Sequence, residues 1–514
     1  MQDSSRKLIK ATGGVVIAIL LSNIFVYIRD IIIAAKFGLS GLTDVYIFAY
    51  GIPEIIVGIM TAAVVSVYML VNSEYLAAGD GENSASFAGT LFFILIGALF
   101  LITLVCYIFL GDIINILAYG FSETQKTMTR RFTSIILPVI ISGGIIGLFS
   151  GMLNSRRYFF IPSVMPVVLN VSIITAIFVS GGAGIKGIAW GIMAGSLVQL
   201  CIIYLSVLKK GIKINFRFSP AQPGIKKFMI LVLPVFGRLI IEQITLQIDR
   251  SIASGLAAGS ITALNYAFKI IYLPVNIFAM AVSTVIFPSL ALAVSSNDSD
   301  ELKRNLSLGI RLIFLAVIPA LTGILLLRRD LISLLFERGL FNAGATEYTS
   351  SLLVFYFAGM IAFSINLVLA KVMYAYGDVG LLVKIGVVNL FITAGLDWVL
   401  SGTMGASGIA LASTAVNVFQ LLILVLYCRY RMKTVLEPGS MRFLLLSAIG
   451  NILIVAAGAV VIKFSGALGA VPRVALTVSL CAAVYYAFML LTGSRDIKKV
   501  ISLLKNKLSG GRNA

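Results

Sequence analysis

About fourteen apolar runs follow one another along the 514 residues, each long enough to cross a bilayer. A helix crosses the hydrocarbon layer with about 20 residues. The runs fall near residues 8–36, 43–72, 87–112, 131–154, 162–182, 185–209, 225–256, 260–292, 303–329, 346–376, 380–400, 406–430, 440–465 and 470–494. Composition agrees: 59% of residues are hydrophobic, 12% are charged, and the mean hydropathy is +1.04. A soluble domain carries about 25% charged residues. The expected fold class is therefore all-α, a polytopic membrane protein of about 14 transmembrane helices. The first run lacks a small-residue cleavage pattern, so no cleavable signal peptide is expected.

The net charge is +19, and it sits mostly in short loops. Alternate loops divide unequally, with about 23 Lys and Arg in one set and about 10 in the other. The positive-inside bias then places both termini in the cytoplasm and accounts for the charge without nucleic acid, for which no recognition motif is present. The strongly basic 209–227 loop fits topology bias, with contact to anionic lipid headgroups as the second reading. Residues 495–512 read as a basic amphipathic surface segment, with Ile497, Val500, Ile501 and Leu504 on one side. The chain has no histidine, which removes His-based acid–base catalysis and His-ligated zinc. Cys106, Cys201, Cys428 and Cys481 lie far apart in or beside apolar runs and read as reduced packing residues. No catalytic residue is expected.

An internal duplication organises the chain. Arg29, Gly38, Asp44 and Pro53 recur 221 residues later as Arg250, Gly259, Asn265 and Pro274. At the same offset, Gly184, Gly187, Ile188 and Ala189 with Gln199 return as Gly405, Gly408, Ile409 and Ala410 with Gln420. Each copy holds six helices. Six is even, so the copies share one orientation, and a substrate path between two rocking lobes is the expected arrangement. The expected domains are an N-lobe over 1–210, a C-lobe over 211–434, two extra helices over 435–494 and a basic tail over 495–514.

Charges inside the runs are costly, roughly 2.5–3.5 kcal/mol each on insertion scales, and so point inward. Arg238, Glu242, Thr245 and Asp249 share one face of the seventh helix. Asn265, Lys269, Tyr272 and Asn276 repeat that spacing in the eighth, while Arg29 and Asp30 lie in the first and Asp44, Glu54 and Thr61 in the second. Two readings stand for most of them. Arg238 and Glu242 either neutralise each other or face substrate. Arg29–Asp30 and Asp249–Arg250 are anchors or cavity groups. Asp44 and Asn265 are substrate groups or helix N-caps. Lys269 has no acidic neighbour one turn away, which favours a substrate role. Pro53 and Pro274 are expected to kink their helices.

Several segments carry a family resemblance. They are Arg29-Asp30 through Lys36-Phe37-Gly38 and Thr43-Asp44; Gly151 and Asn154 through Pro162, Pro166 and Asn170; Gln243 to Asp249; Tyr266-Ala267 through Leu273-Pro274; and Leu334 to Gly339 with Phe341. From about residue 10 to 430 the chain resembles the MurJ/MviN lipid II flippases of the multidrug/oligosaccharidyl-lipid/polysaccharide exporter superfamily. The resemblance implies alternating access by a monomer in the bacterial cytoplasmic membrane, with a lipid-linked oligosaccharide as substrate. The last two helices would form a groove for the lipid tail. It also implies cavity arginines that hold the pyrophosphate, matched here by Arg29 and, with a change of residue, by Lys269. Val57-Gly58 stands where the family carries an arginine pair in helix 2, with Glu54 nearby, and Arg238 is the candidate replacement. The implied substrate site thus comprises Arg29, Asp30, Asp44, Glu54, Arg238, Glu242 and Lys269. No cofactor is implied, with Na+ or H+ coupling left open; Asp249, Asn389 and Thr393 are the matching monovalent cation candidates. A flippase for exopolysaccharide or O-antigen units is the nearest alternative, and a cation-coupled drug antiporter a more distant one. A membrane glycosyltransferase would need large loops or Asp-rich metal motifs that this chain lacks. Arg238→Glu is expected to abolish substrate flux in vesicles, and unchanged flux would remove Arg238 from the site.

Overall fold

The computed structural model describes residues 2–180, 184–433, 436–437, 439–465 and 469–492. The side chains of residues 2–13, Arg238 and Glu242 lie outside the described residues, as does the expected basic tail. Every regular element among the described residues is helical. The chain forms two compact units, Met1–Thr262 and Ala263–Ala514.

The first unit holds α1 (Gln2–Phe37), α2 (Gly41–Ala77), α3 (Gly81–Ile108), α4 (Leu110–Leu117), α5 (Glu123–Ile136), α6 (Val139–Ser155), α7 (Phe160–Val179), α8 (Ile185–Lys209) and α9 (Pro223–Ala253). The single span expected over 131–154 is a bent pair, α5 and α6, meeting at 40°. Pro138 lies at the bend; it has no amide hydrogen to continue the ladder. Among the described residues thirteen helices are long and apolar enough to cross a membrane alone, and this pair makes fourteen when counted as one span. α9 packs on α2. The expected lobe boundary at 210/211 follows the sequence duplication, whereas packing divides the chain after Thr262.

α10 (Ser260–Pro274) begins in the first unit and runs into a π-helical turn, Val275–Ala279. The second unit continues with α11 (Met280–Ser295), α12 (Ser299–Leu326), α13 (Arg328–Phe336), α14 (Ala343–Tyr376), α15 (Val379–Met404) and α16 (Ala406–Met432), then α17 (Ser440–Phe464) and α18 (Ala470–Leu491).

The duplication is visible in the backbone. Gly38 and Gly259 both take positive φ, 64° and 93°. Gly184 (φ 58°, ψ −135°) and Gly405 (φ 60°, ψ −137°) are nearly superimposable turns. L side chains rarely occupy this region, so each glycine is retained at the turn that needs it. Gln199 of α8 donates to the Met165 carbonyl of α7 (2.6 Å), and its counterpart Gln420 of α16 accepts from Asn389 of α15 (3.0 Å). The short helices α4 and α13 occupy matching places in the two copies. The prolines differ: α2 stays α-helical through Pro53, whereas the π turn follows Pro274.

The extra helices α17 and α18 pair with each other and pack on α12. Their shared core contains Leu315, Phe443, Ile454, Cys481, Tyr485 and Met489. Tyr485 is fully buried, and its hydroxyl bonds the Phe314 carbonyl (2.8 Å) and Ser447 Oγ (2.7 Å). Thr322 donates to Asn451 (2.9 Å), and Arg473 pairs with Asp330 (3.1 Å). These ties matter because lipid competes with apolar packing but not with a hydrogen bond. Tyr485→Phe should cost about 0.6–1.7 kcal/mol, and Tyr485→Ala roughly 3–5 kcal/mol through the cavity it leaves. Thermal unfolding of the purified protein in detergent checks both, and the order Ala below Phe below wild type is required.

Candidate functional site

Asp44 opens the geometry of the first unit. Ser40, not Asp44, caps α2, its side chain accepting from the Thr43 amide. The Asp44 carboxylate, 3% exposed, reaches the Gly259 amide (2.5 Å), the Thr262 amide (2.9 Å) and the Thr262 hydroxyl (2.7 Å). The capping alternative is thus correct in kind but not in target. Asp44 caps the turn at the start of α10, where the first amides of a helix have no intrahelical partner. Asn265, its counterpart in the repeat, sits inside α10 rather than at its start.

One face of α2 gathers charge from α1 and α9. Arg29 and Asp30, both buried, form an ion pair, with Arg29 Nε and Nη2 donating to one Asp30 oxygen at 3.0 and 2.8 Å. Arg29 is therefore partly committed within α1. Tyr46 and Tyr50 stack at 6.0 Å between ring centres. Both feel the charges of Arg29, Glu54 and Arg250. Arg250 of α9 reaches across Gly51 to Glu54, Nη2 to Oε2 3.7 Å. A Cβ at Gly51 would collide with the Arg250 guanidinium, so this glycine makes room for it. Arg250 Nη1 is buried with no hydrogen-bond partner among the described residues. A buried unsatisfied guanidinium donor is expensive and is suited to an anion in fork geometry. The sequence leaves Arg250 as an anchor or cavity group outside the implied substrate site; the signal for including it is the repeat, which equates it with Arg29.

At the position of the family's helix 2 arginine pair, Val57 packs on Gly143 of α6, while Gly58 has open space around it. Arg238 and Glu242 lie on α9 with side chains outside the described residues.

In the second unit Lys269 is half-buried on α10, one turn from Tyr272, which stacks on Phe268 at 5.3 Å. Phe336 and Phe341 of the Leu334–Phe341 segment pack on Tyr266, Phe336 stacked at 4.6 Å, so that segment serves the fold. Of the cation candidates, Asp249 belongs to α9 of the first unit, and Asn389 and Thr393 to α15 of the second. Thr393 is buried, and Asn389 Oδ1 is buried without a hydrogen-bond partner among the described residues. Asp397, fully buried one turn beyond Thr393, continues the stripe. Sequence reasoning passed over it, although a lone acid in an apolar span was signal enough.

Comparison with known proteins adds to this geometry. The family model of the lipid II flippase MurJ matches residues 33–480. The chain belongs to the MurJ family. A probable lipid II flippase MurJ of Rhizobium tropici is 28% identical over 519 residues, 95% of either chain. The lipid II flippase MurJ of Burkholderia cenocepacia is 26% identical over 82% of this chain and 84% of its own length. A MurJ structure in an inward closed conformation shares the fold, with a TM-score of 0.77 at 22% identity over 93% of this chain and 99% of that one. An inward-facing multidrug MATE transporter shares it more distantly, with a TM-score of 0.70 at 13% identity, covering 80% and 94%. Membership in the MurJ family bears out the resemblance, the all-α polytopic fold and the transporter class.

Gly51→Ala separates the charge geometry from stability. Alanine favours a helix over glycine by about 1 kcal/mol, yet its methyl group displaces Arg250. The variant should keep or raise its melting temperature in detergent while losing transport; full transport would show that the placement of Arg250 is immaterial. Asp44→Ala should instead destabilise by about 1–3 kcal/mol for each amide it strands, read as a lower melting temperature.

Proposed function

We propose that this MurJ family member translocates lipid II, an undecaprenyl-pyrophosphate-linked peptidoglycan precursor, across the bacterial cytoplasmic membrane by alternating access. The observation that carries the reading is the Arg250 guanidinium, held over Gly51 with one donor nitrogen buried and unsatisfied, in a chain whose family is described as lipid II flippases. The head group bears a pyrophosphate that hydrocarbon excludes. Arg250 is assigned the pyrophosphate in the first unit, with Arg29 adding its charge at the same face of α2 while it stays paired with Asp30. Lys269 is assigned a phosphate contact in the second, as a point charge without the arginine fork. Glu54 keeps Arg250 poised before substrate arrives. The prenyl tail stays in lipid, against the exposed apolar faces of α17 and α18 such as Leu445, Ile449, Ile452 and Leu476.

Coupling to Na+ or H+ is assigned to Asp249 and to the Asn389–Thr393–Asp397 stripe, whose oxygens suit a hard monovalent cation. The termini are assigned to the cytoplasm by the loop charge bias, and the working unit is a monomer. The exopolysaccharide alternative draws on Val57 and Gly58, which remove the helix 2 cations.

Expression in cells depleted of their own lipid II flippase tests this. The wild-type chain should restore growth, and in liposomes it should expose labelled lipid II head groups to an external probe. Arg250→Gln should lower that exposure roughly tenfold or more, the worth of a charged hydrogen bond, with Arg250→Lys intermediate. No rescue despite normal membrane expression would favour the exopolysaccharide reading.

A further inference from the structure

The first unit carries an apolar groove that the transport reading leaves unused. Phe92 of α3, Phe149 of α6, Leu197, Cys201 and Tyr204 of α8, and Phe216 of the following loop line a cavity of about 360 Å³. Its size is within the range of sites for small ligands, roughly 300–1,000 Å³. The wall is aromatic: Phe216 meets Phe92 edge-on at 5.2 Å, Phe92 stacks with Phe149 at 6.2 Å, and Phe149 meets Tyr204 at 5.5 Å.

The loop that closes one side is the most basic in the chain, and it is fixed in place. Asn215 N–H donates to the Ala85 carbonyl (3.1 Å). Thr90 Oγ1 donates to the Arg217 carbonyl and accepts from the Ser219 amide, both at 3.3 Å. Gln222 donates to the Tyr75 hydroxyl at 3.0 Å. The loop backbone crosses α3 at Gly89, where any Cβ would strike the Asn215 carbonyl. Along it apolar Ile212, Ile214, Phe216 and Phe218 alternate with Lys213, Asn215 and Arg217, and Lys213 and Arg217 are exposed. Topology bias requires positive charge near a helix end. It requires neither a strap bonded across α3 nor a ring of that strap, Phe216, lining a groove beside two exposed cations.

We propose that this groove holds one acyl chain of an anionic glycerophospholipid, whose phosphate is gripped by Lys213 and Arg217. Charge complementarity selects the occupant. The cavity lies at the end of the bundle where these cations emerge: Tyr204 stands five residues before Lys209, the last residue of α8, about 8 Å at 1.5 Å per residue. A chain lying between Phe149 and Phe216 therefore leaves its phosphate beside the loop. Arg217 offers a fork to phosphate oxygens and Lys213 a point charge. Lys210, already seated over the Tyr158 ring at 4.6 Å, adds positive field on the same side. The site is independent of the pyrophosphate cluster on α2 and does not rest on the transport reading.

The full-length protein in phosphatidylcholine vesicles, with trace phosphatidylglycerol or phosphatidylcholine bearing a diazirine on the acyl chain, provides the test. After irradiation, peptide mass spectrometry should find the phosphatidylglycerol probe on 197–204 several-fold above the phosphatidylcholine probe. Lys213→Gln with Arg217→Gln should lower the phosphatidylglycerol signal about fivefold for each charge removed at unchanged melting temperature. Cys201→Trp, filling the groove, should abolish it. Equal labelling by the two probes, an unchanged signal in the double charge variant, or displacement by added polyprenyl phosphate would each overturn the proposal.

Discussion

The first amides of a helix find no partner within it, and at one turn this chain supplies the missing acceptor with a single carboxylate from a third helix. Where α9 ends and α10 begins, the first amides of the new helix have nothing behind them. Asp44 of α2 supplies the acceptor for Gly259 and Thr262. That contact fixes the turn after α9 to α2, and with it the height at which Arg250 leaves α9. Because the carboxylate also takes the Thr262 hydroxyl, its charge is spread over three donors rather than left bare. The charge cluster next to Gly51 inherits its placement from this anchor.

The charges themselves are arranged in pairs of unequal firmness. Arg29 and Asp30 are buried neighbours at hydrogen-bond distance, whereas Arg250 and Glu54 stand 3.7 Å apart with the carboxylate half exposed. A firm buried pair is hard to open, because separating it strands both ions in a poor solvent. A loose pair with a wet partner exchanges more easily. The asymmetry therefore assigns rigidity to α1 and adaptability to the α2–α9 contact, although the two arginines are sequence equivalents.

Much of the fold was legible because hydrophobic length and duplication are written residue by residue. The paired turns at Gly38 and Gly259, and at Gly184 and Gly405, follow from glycines repeated at one offset. The bend at Pro138 escaped because an apolar run reads as continuous even where its hydrogen-bond ladder is broken. Asp44 was legible as either a substrate group or a cap, but the amide it caps lies 215 positions away in sequence, and no local pattern reports a cap supplied by another helix. Asp397 lies outside the polar stripes of the first two helices of each repeat, where the sequence concentrates its in-span charge. The site was legible as an inventory of charges, not as their pairing, since whether Arg29 faces substrate or Asp30 depends on rotamers and neighbours.

The π turn after Pro274 gives the two copies of the duplication different rotational phase along this helix. A π turn accommodates one residue more than the α-helical path would, and one residue corresponds to about 100° of screw rotation. Side chains beyond Ala279 are thus dialled to another side of the helix axis from those that an uninterrupted helix would show. The stripe ending at Asn276 gives way to apolar Ala279 and Met280 where this change of phase occurs. The corresponding helix α2 keeps its phase through Pro53, so descendants of one ancestral segment have become differently indexed parts.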